Sequence, residues 1–303
     1  MTEVPEAAGA ERRTAMAVLL TGACIIGLAP ILVRLADSGP AAVGFWRMLF
    51  ALPLLALVAR RESGGVGPFG WALGLAGVAF ALDLAFWHYG IALTSVAKAT
   101  ILSNLTPVIV TGVAWLVFRE RVRPLFLAAV ALAVGGACLM TLARDPGLPG
   151  VNPALGDAFS ALTAVWYALY FLAVQRARRT RGAAQVMFWS SLTAAPLLLI
   201  ASGLLGERLL PATAGGWAAC AGLGVMHVTG QGAIAWALGR LPASVTSVVV
   251  LVQPVVAAVL GWLLFGEVFG AGQMLGGAIA LTGVILAQRA ARPAPGRVAP
   301  QAG

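Results

Sequence analysis

Apolar residues run through this chain in blocks too long for the core of a soluble domain. Ten of them, at approximately 14–36, 41–60, 69–93, 95–118, 124–143, 154–176, 183–204, 215–239, 242–265 and 269–288, reach spanning length. A helix needs about 20 apolar residues to cross the hydrocarbon layer. Short polar or Gly/Pro-rich connections separate the blocks, such as Asp37-Ser38-Gly39-Pro40 and Arg144-Asp145-Pro146-Gly147, and leave no room for an extramembrane domain. The pattern predicts an all-α integral membrane protein of ten transmembrane helices. Residues 1–13 then form a cytoplasmic N-terminal segment and residues 144–153 a periplasmic linker. Residues 289–303, basic and Pro-rich, form a disordered tail.

Two of the blocks say nearly the same thing. Leu105 to Glu120 reads LTPVIVTGVAWLVFRE, and Val252 to Glu267 reads VQPVVAAVLGWLLFGE. At an offset of 147, Pro107 falls on Pro254, Trp115 on Trp262, Phe118 on Phe265 and Glu120 on Glu267. Phe45-Trp46 and Pro53 match Phe188-Trp189 and Pro196 at an offset of 143, and Trp71 and Gly77 lie near Trp217 and Gly224. Residues 14–143 and 154–288 are thus two copies of one five-helix unit. Five is odd, so the copies cross the membrane in opposite directions.

The arginines agree with that inversion. With the N-terminus in the cytoplasm, the inner loops carry Arg12, Arg13, Arg60, Arg61, Arg119, Arg121, Arg123, Arg176, Arg178, Arg179, Arg181, Arg240, Arg289, Arg292 and Arg297. The outer loops carry Arg34, Arg144 and Arg208. Fifteen against three sets both termini in the cytoplasm. Inverted halves about an axis in the membrane plane are the architecture through which several secondary transporters alternate access.

Composition sharpens the exclusions. Hydrophobic residues make up 60% of the chain and charged residues 10%, with mean hydropathy +0.92; a soluble domain has roughly 25% charged residues. The net charge of +9 is accounted for by topology, so no nucleic-acid partner is expected; the bilayer is the partner. Cys24, Cys138 and Cys220 lie far apart in apolar helices, which fits packing rather than a metal site or disulfides. The run after Arg12-Arg13 exceeds the h-region of a signal peptide and reads as a retained first helix. No HExxH, DxD, paired acids or Cys/His set supports an enzyme, no P-loop supports a pump, and no cofactor is implied. An integral-membrane enzyme, or a lipid- or drug-handling protein without transport coupling, is the alternative to a carrier.

With these marks the chain resembles the drug/metabolite transporter superfamily in its ten-helix metabolite and amino-acid exporter branch. The resemblance covers about residues 14–288 and rests on Pro107…Glu120 and Pro254…Glu267, preceded by TSVAKATILSNL and ASVTSVVVLV. It implies a carrier in a bacterial-type inner membrane, commonly an exporter, with a central cavity lined mainly by helices 1, 3, 4, 6, 8 and 9. Among such exporters the chain is most similar to those handling aromatic and other neutral amino acids. The four-helix branch carries an acid in its first helix; none lies between Thr14 and Leu35, which argues against that branch's proton antiport. A monomer is expected.

Polar groups at membrane depth are costly and mark candidate sites. Arg47 and Asp83 read either as a buried ion pair or as functional charges, with His88 as a further coupling candidate and Lys98 snorkelling to the outer boundary. On helix 3 Asp83, Trp87 and Gly90 share a face; on helix 4 Thr100, Ser103, Asn104, Pro107 and Thr111 cluster. On helix 6 Phe159, Thr163, Trp166 and Tyr170 align, and on helix 8 Cys220, Gly224, His227 and Gln231. These strips line either a shared cavity or helix–helix contacts. The candidate substrate-binding set is Trp87, Ser103, Asn104, Thr163, Trp166, Tyr170, His227, Gln231 and Gln253. Pro107 and Pro254, each a kink within its helix, are the candidate hinges.

Overall fold

The computed structural model describes residues 4–94, 96–116, 123–143, 151–265 and 270–290, and every element in them is helical. Glu120 and Glu267, the loop arginines Arg119, Arg121 and Arg144, and the tail after Ala290 lie outside the described residues, as do the side chains of Arg34 and Lys98. The first span comprises α1 (Val4–Ile26) and α2 (Ala29–Leu35); the second and third are α3 (Pro40–Ser63) and α4 (Trp71–Leu93). The fourth is α5 (Val96–Ser103) with α6 (Thr106–Leu116), and the fifth is α7 (Pro124–Leu142). The sixth and seventh are α8 (Pro153–Ala177) and α9 (Ala183–Leu204). In the eighth, α10 (Ala214–Met226), a π-helical turn (His227–Gln231) and α11 (Gly232–Leu238) run on without a break. The ninth is α12 (Ala243–Val249) with α13 (Val252–Phe265), and the tenth is α14 (Ala271–Ala290).

The prolines do something other than kink continuous helices. Span 4 stops at Ser103 and restarts at Thr106, and span 9 stops at Val249 and restarts at Val252. Pro107 and Pro254 sit in the first turn of the restarted halves, where a missing backbone N–H costs no helical hydrogen bond. Pro30 stands at the matching place in α2 of span 1. By contrast, Pro53 and Pro196 lie inside the unbroken α3 and α9. Helix α1 also begins some ten residues ahead of the expected span, and Glu11 at its start pairs with Arg240 at 3.3 Å, past the end of span 8. Arg240 rests over the Trp236 ring at 3.6 Å. The start of span 1 and the end of span 8 therefore share one face of the protein.

Packing follows the repeat. Span 3 lies against span 6 as span 8 lies against span 1, span 2 packs on span 7, and span 5 on span 10. Gly136 meets Gly276 and Ala280, Met140 meets Gly276, and Ala133 meets Gly283. Numbers rise along one helix as they fall along the other, so spans 5 and 10 are antiparallel, as an inverted repeat requires. The contact is backbone against backbone, the close approach by which helices associate where lipid is as apolar as the side chains. Gly77 of span 3 touches the Ser190 backbone of span 7, while its repeat mate Gly224 of span 8 touches Phe50 and Ala51 of span 2. The three cysteines are free; Cys220 is buried in packing as expected, but Cys24 is exposed on the helix surface.

Candidate functional site

A cavity of about 590 Å³ opens between the two halves, where the broken spans 4 and 9 face each other. Its aromatic wall is Phe80 and Trp87 of span 3 with Tyr167 of span 6. Thr100, Ser103, Asn104 and Pro107 approach from span 4, and Ser247, Gln253 and Pro254 from span 9. Arg47, Asp83, Thr106, Thr163 and Gln231 also belong to its polar lining, together with Thr141 of span 5 and Gln273 of span 10.

Local hydrogen bonding decides what these groups can still offer. Ser103 donates its hydroxyl to the Thr100 carbonyl at 3.1 Å, and Thr106 donates to the Ser103 carbonyl at 2.9 Å. Both hydroxyls spend their proton on the chain and keep acceptor capacity only. Asn104 Nδ2 and Gln253 Nε2, by contrast, are buried without a hydrogen-bond acceptor among the described residues. Buried donors left unmade cost on the order of 1–3 kcal/mol each, so both amides are unsatisfied groups at the edge of a ligand-sized space.

Arg47 and Asp83 are both buried, at 7% and 8% exposure, and both line the cavity. They come to the same chamber but form no direct ion pair. Arg47 Nη2 instead donates to His227 Nδ1 at 3.2 Å, and its guanidinium carbon lies 5.6 Å from the centre of the Phe80 ring. A basic and an acidic side chain thus stand on one wall of the cavity, with no direct ion pair between them.

Among the candidate binding residues, Trp87, Ser103, Asn104, Thr163, Gln231 and Gln253 line the cavity. Trp166, Tyr170 and His227 do not. Tyr170 and His227, each 1% exposed, form a layer behind the wall. Phe80 covers both, with its ring centre 4.8 Å from Tyr170 and 5.5 Å from His227. Gln231 reaches back from the wall to donate to the Tyr170 hydroxyl at 3.1 Å. Trp166 packs instead near Phe86, ring centres 6.2 Å apart, its Nε1 buried without an acceptor. His88 lies against Trp87, ring centres 5.0 Å apart, and neither of its nitrogens has a hydrogen-bond partner among the described residues.

The cavity face of span 6 runs through Thr163 and Tyr167, one residue round from the expected strip. Tyr167, whose ring is stacked parallel to Tyr170 with centres 5.9 Å apart, is therefore a wall residue outside that strip. Phe80 and Gln273 also stand outside the expected set. Gln273 carried a readable signal, a polar side chain in an apolar span; it accepts from the Gly270 amide at 3.1 Å at the start of α14. Among the described residues no group of three or more His, Cys, Asp or Glu side chains is placed to hold a metal ion.

Comparison with known proteins fits this architecture. The model of the EamA-like transporter family matches residues 13–142 and again residues 154–288. An uncharacterized transporter of Archaeoglobus fulgidus is 28% identical over 275 residues, covering 90% of this chain and 96% of that one. A solved crystal structure, described only as that of a protein, superimposes with a TM-score of 0.78 at 19% identity, covering 92% of this chain and 98% of its own. That likeness concerns the fold.

Proposed function

We propose a carrier mechanism on one premise: this chain belongs to the EamA-like transporter family, and it crosses the membrane many times. The cargo is a small metabolite, first of all an amino acid with an aromatic or other neutral side chain. It leaves the cell across a bacterial-type inner membrane, with both termini of the carrier in the cytoplasm. The observation that carries this reading is the presence of Arg47 and Asp83 beside the aromatic wall of Phe80, Trp87 and Tyr167 in one cavity. Arg47 offers charge-assisted donors to a carboxylate, and Asp83 offers acceptors to an ammonium group. The three rings take up an apolar side chain by area burial and face an ammonium with their π-clouds. A volume of about 590 Å³ lies within the range of ligand sites.

Alternating access follows from the two inverted units, residues 14–143 and 154–288, rocking about the cavity. The breaks before Pro107 and Pro254 are the hinges, because a chain already released from helical hydrogen bonding there can change direction without breaking more of them. The experiment is efflux from proteoliposomes loaded with a panel of labelled amino acids. Neutral and aromatic amino acids should leave faster than from protein-free vesicles and compete with one another. Equal rates with and without protein across the panel would remove amino acids as cargo.

A further inference from the structure

From Arg47 on the cavity wall, a relay of three side chains from three spans runs back to two residues that the carrier reading does not yet use. Arg47 of span 2 donates from Nη2 to His227 Nδ1 at 3.2 Å, and His227 Nε2 lies 3.0 Å from Ser191 Oγ of span 7. A guanidinium has donors and no acceptor, so His227 Nδ1 must present its lone pair. The ring proton of the neutral imidazole then sits on Nε2 and is donated to the Ser191 hydroxyl. His227 and Ser191 are each 1% exposed, and Phe80 lies over both the guanidinium and the imidazole. His227 opens the π-helical turn of span 8, whose last residue, Gln231, lines the cavity. Such turns widen a helix by one residue and recur at functional sites.

The choice of an imidazole has a chemical consequence. A glutamate at this position would hold Arg47 equally well and cancel its charge. A neutral acceptor holds the guanidinium by one N–H and adds no countercharge to it. Arg47 Nε has no acceptor among the described residues either. We infer that His227, held by Ser191, is the positioning residue that aims Arg47 into the cavity while preserving its charge, and that the site accordingly selects cargo bearing a carboxylate. The inference rests on the carrier reading and names the group by which that site recognises its cargo.

The test compares efflux of one labelled neutral amino acid with that of its carboxyl-amidated analogue, which keeps the amine and side chain and lacks the anionic group. The wild-type carrier should prefer the acid by about tenfold or more in KM, the scale of a charge-assisted hydrogen bond. His227→Glu should abolish that preference by raising the KM of the acid, with the amide's KM and both kcat values little changed. His227→Gln, whose amide oxygen can accept from Arg47, should retain most of the preference. Ser191→Ala, the mildest change, should raise the acid's KM several-fold and leave the amide's alone, and it serves where His227→Glu fails to fold. Equal effects on acid and amide in Ser191→Ala and His227→Gln would reduce His227 to packing and overturn the inference. A wild type that moves both compounds without preference would overturn it too while leaving the carrier reading standing; a wild type that moves neither would overturn the amino-acid reading itself.

Discussion

Glu62 and Glu207 perform the same task at opposite faces of the protein. Glu62, at the end of span 2, accepts hydrogen bonds from the Ala183 and Ala184 amides at 3.0 and 2.9 Å, capping the start of span 7. Glu207, just past span 7, accepts from the Ala41 and Ala42 amides at 3.3 and 3.0 Å, capping the start of span 2. Beside each cap a tryptophan closes the loop: Trp189 Nε1 donates to the Val66 carbonyl at 3.0 Å, and Trp46 Nε1 to the Leu209 carbonyl at 2.8 Å. Each helix of the pair thus supplies the charge that its partner's N-terminus attracts. Gly39 and Gly182 stand at the two N-caps, where a side chain would collide with Glu207 in one case and with Ser63 and Glu62 in the other.

The two caps should carry comparable weight. Glu62→Gln and Glu207→Gln each remove a charge that accepts two backbone N–H bonds, and each should cost about 1–2 kcal/mol. The measurement is the thermal midpoint of the purified protein in detergent. Glu207→Gln should lower it somewhat further, because Glu207 also accepts from the Tyr89 hydroxyl at 2.7 Å. Midpoints within a degree of the wild type would show that the caps add nothing net.

Asp37 gives the loops around it a pH dependence with a definite sign. Its carboxyl is held below the usual range, first by the Thr213 side chain and further by the Ala212 and Thr213 amides, which donate at 3.0 and 2.8 Å. A carboxylate with a depressed folded-state pKa contributes stability above its unfolded value of about 3.9, and that stability disappears as pH falls through the folded value. The thermal midpoint of the wild type should therefore drop on acidification below about pH 4 more steeply than that of Asp37→Asn. Parallel curves for the two proteins would exclude Asp37 as the source.

Asp83 distinguishes an ammonium-binding group from a proton carrier. It lines the cavity, and among the described residues no hydrogen bond or ion pair holds its carboxyl. If it receives the cargo's ammonium, Asp83→Asn should raise the KM of an amino acid about tenfold and barely change that of the matching 2-hydroxy acid. Efflux by the wild type should proceed without a proton gradient. Strict dependence on the gradient, abolished in Asp83→Asn, would instead make Asp83 the coupling residue.

Span 6 offers a test one residue wide. Tyr167→Ala should raise KM several-fold by removing a wall of the cavity, with the fold retained. Trp166→Ala should leave KM unchanged and lower stability by less than the about 3–5 kcal/mol of a fully buried aromatic side chain, because Trp166 is half-buried. Raised KM in Trp166→Ala with Tyr167→Ala unaffected would turn the helix the other way.

How far a sequence speaks here depends on which solvent it is answering. Ten apolar blocks, their lengths and the internal repeat are properties of the chain alone, because hydrocarbon demands the same composition of any spanning helix. Segment 183–204 coincides with α9, and the 154–176 and 269–288 blocks depart from α8 and α14 by no more than two residues at either end. The rotation of each helix about its axis is another matter. Spans such as α4 and α8 are apolar almost all the way round, so no amphipathic stripe tells Tyr167 from Trp166. Nor could local pattern foresee that Arg47 would bond to His227, which lies 180 residues away, in place of Asp83. Pro107 and Pro254 announced a disturbance in spans 4 and 9, yet a proline is as compatible with a bent helix as with a restarted one. The chain by itself determined the spans, the inversion and the polar candidates; only the packing of spans 2, 3, 6, 7 and 8 around Phe80 decided which of those candidates meet, because those contacts join residues that no local periodicity relates.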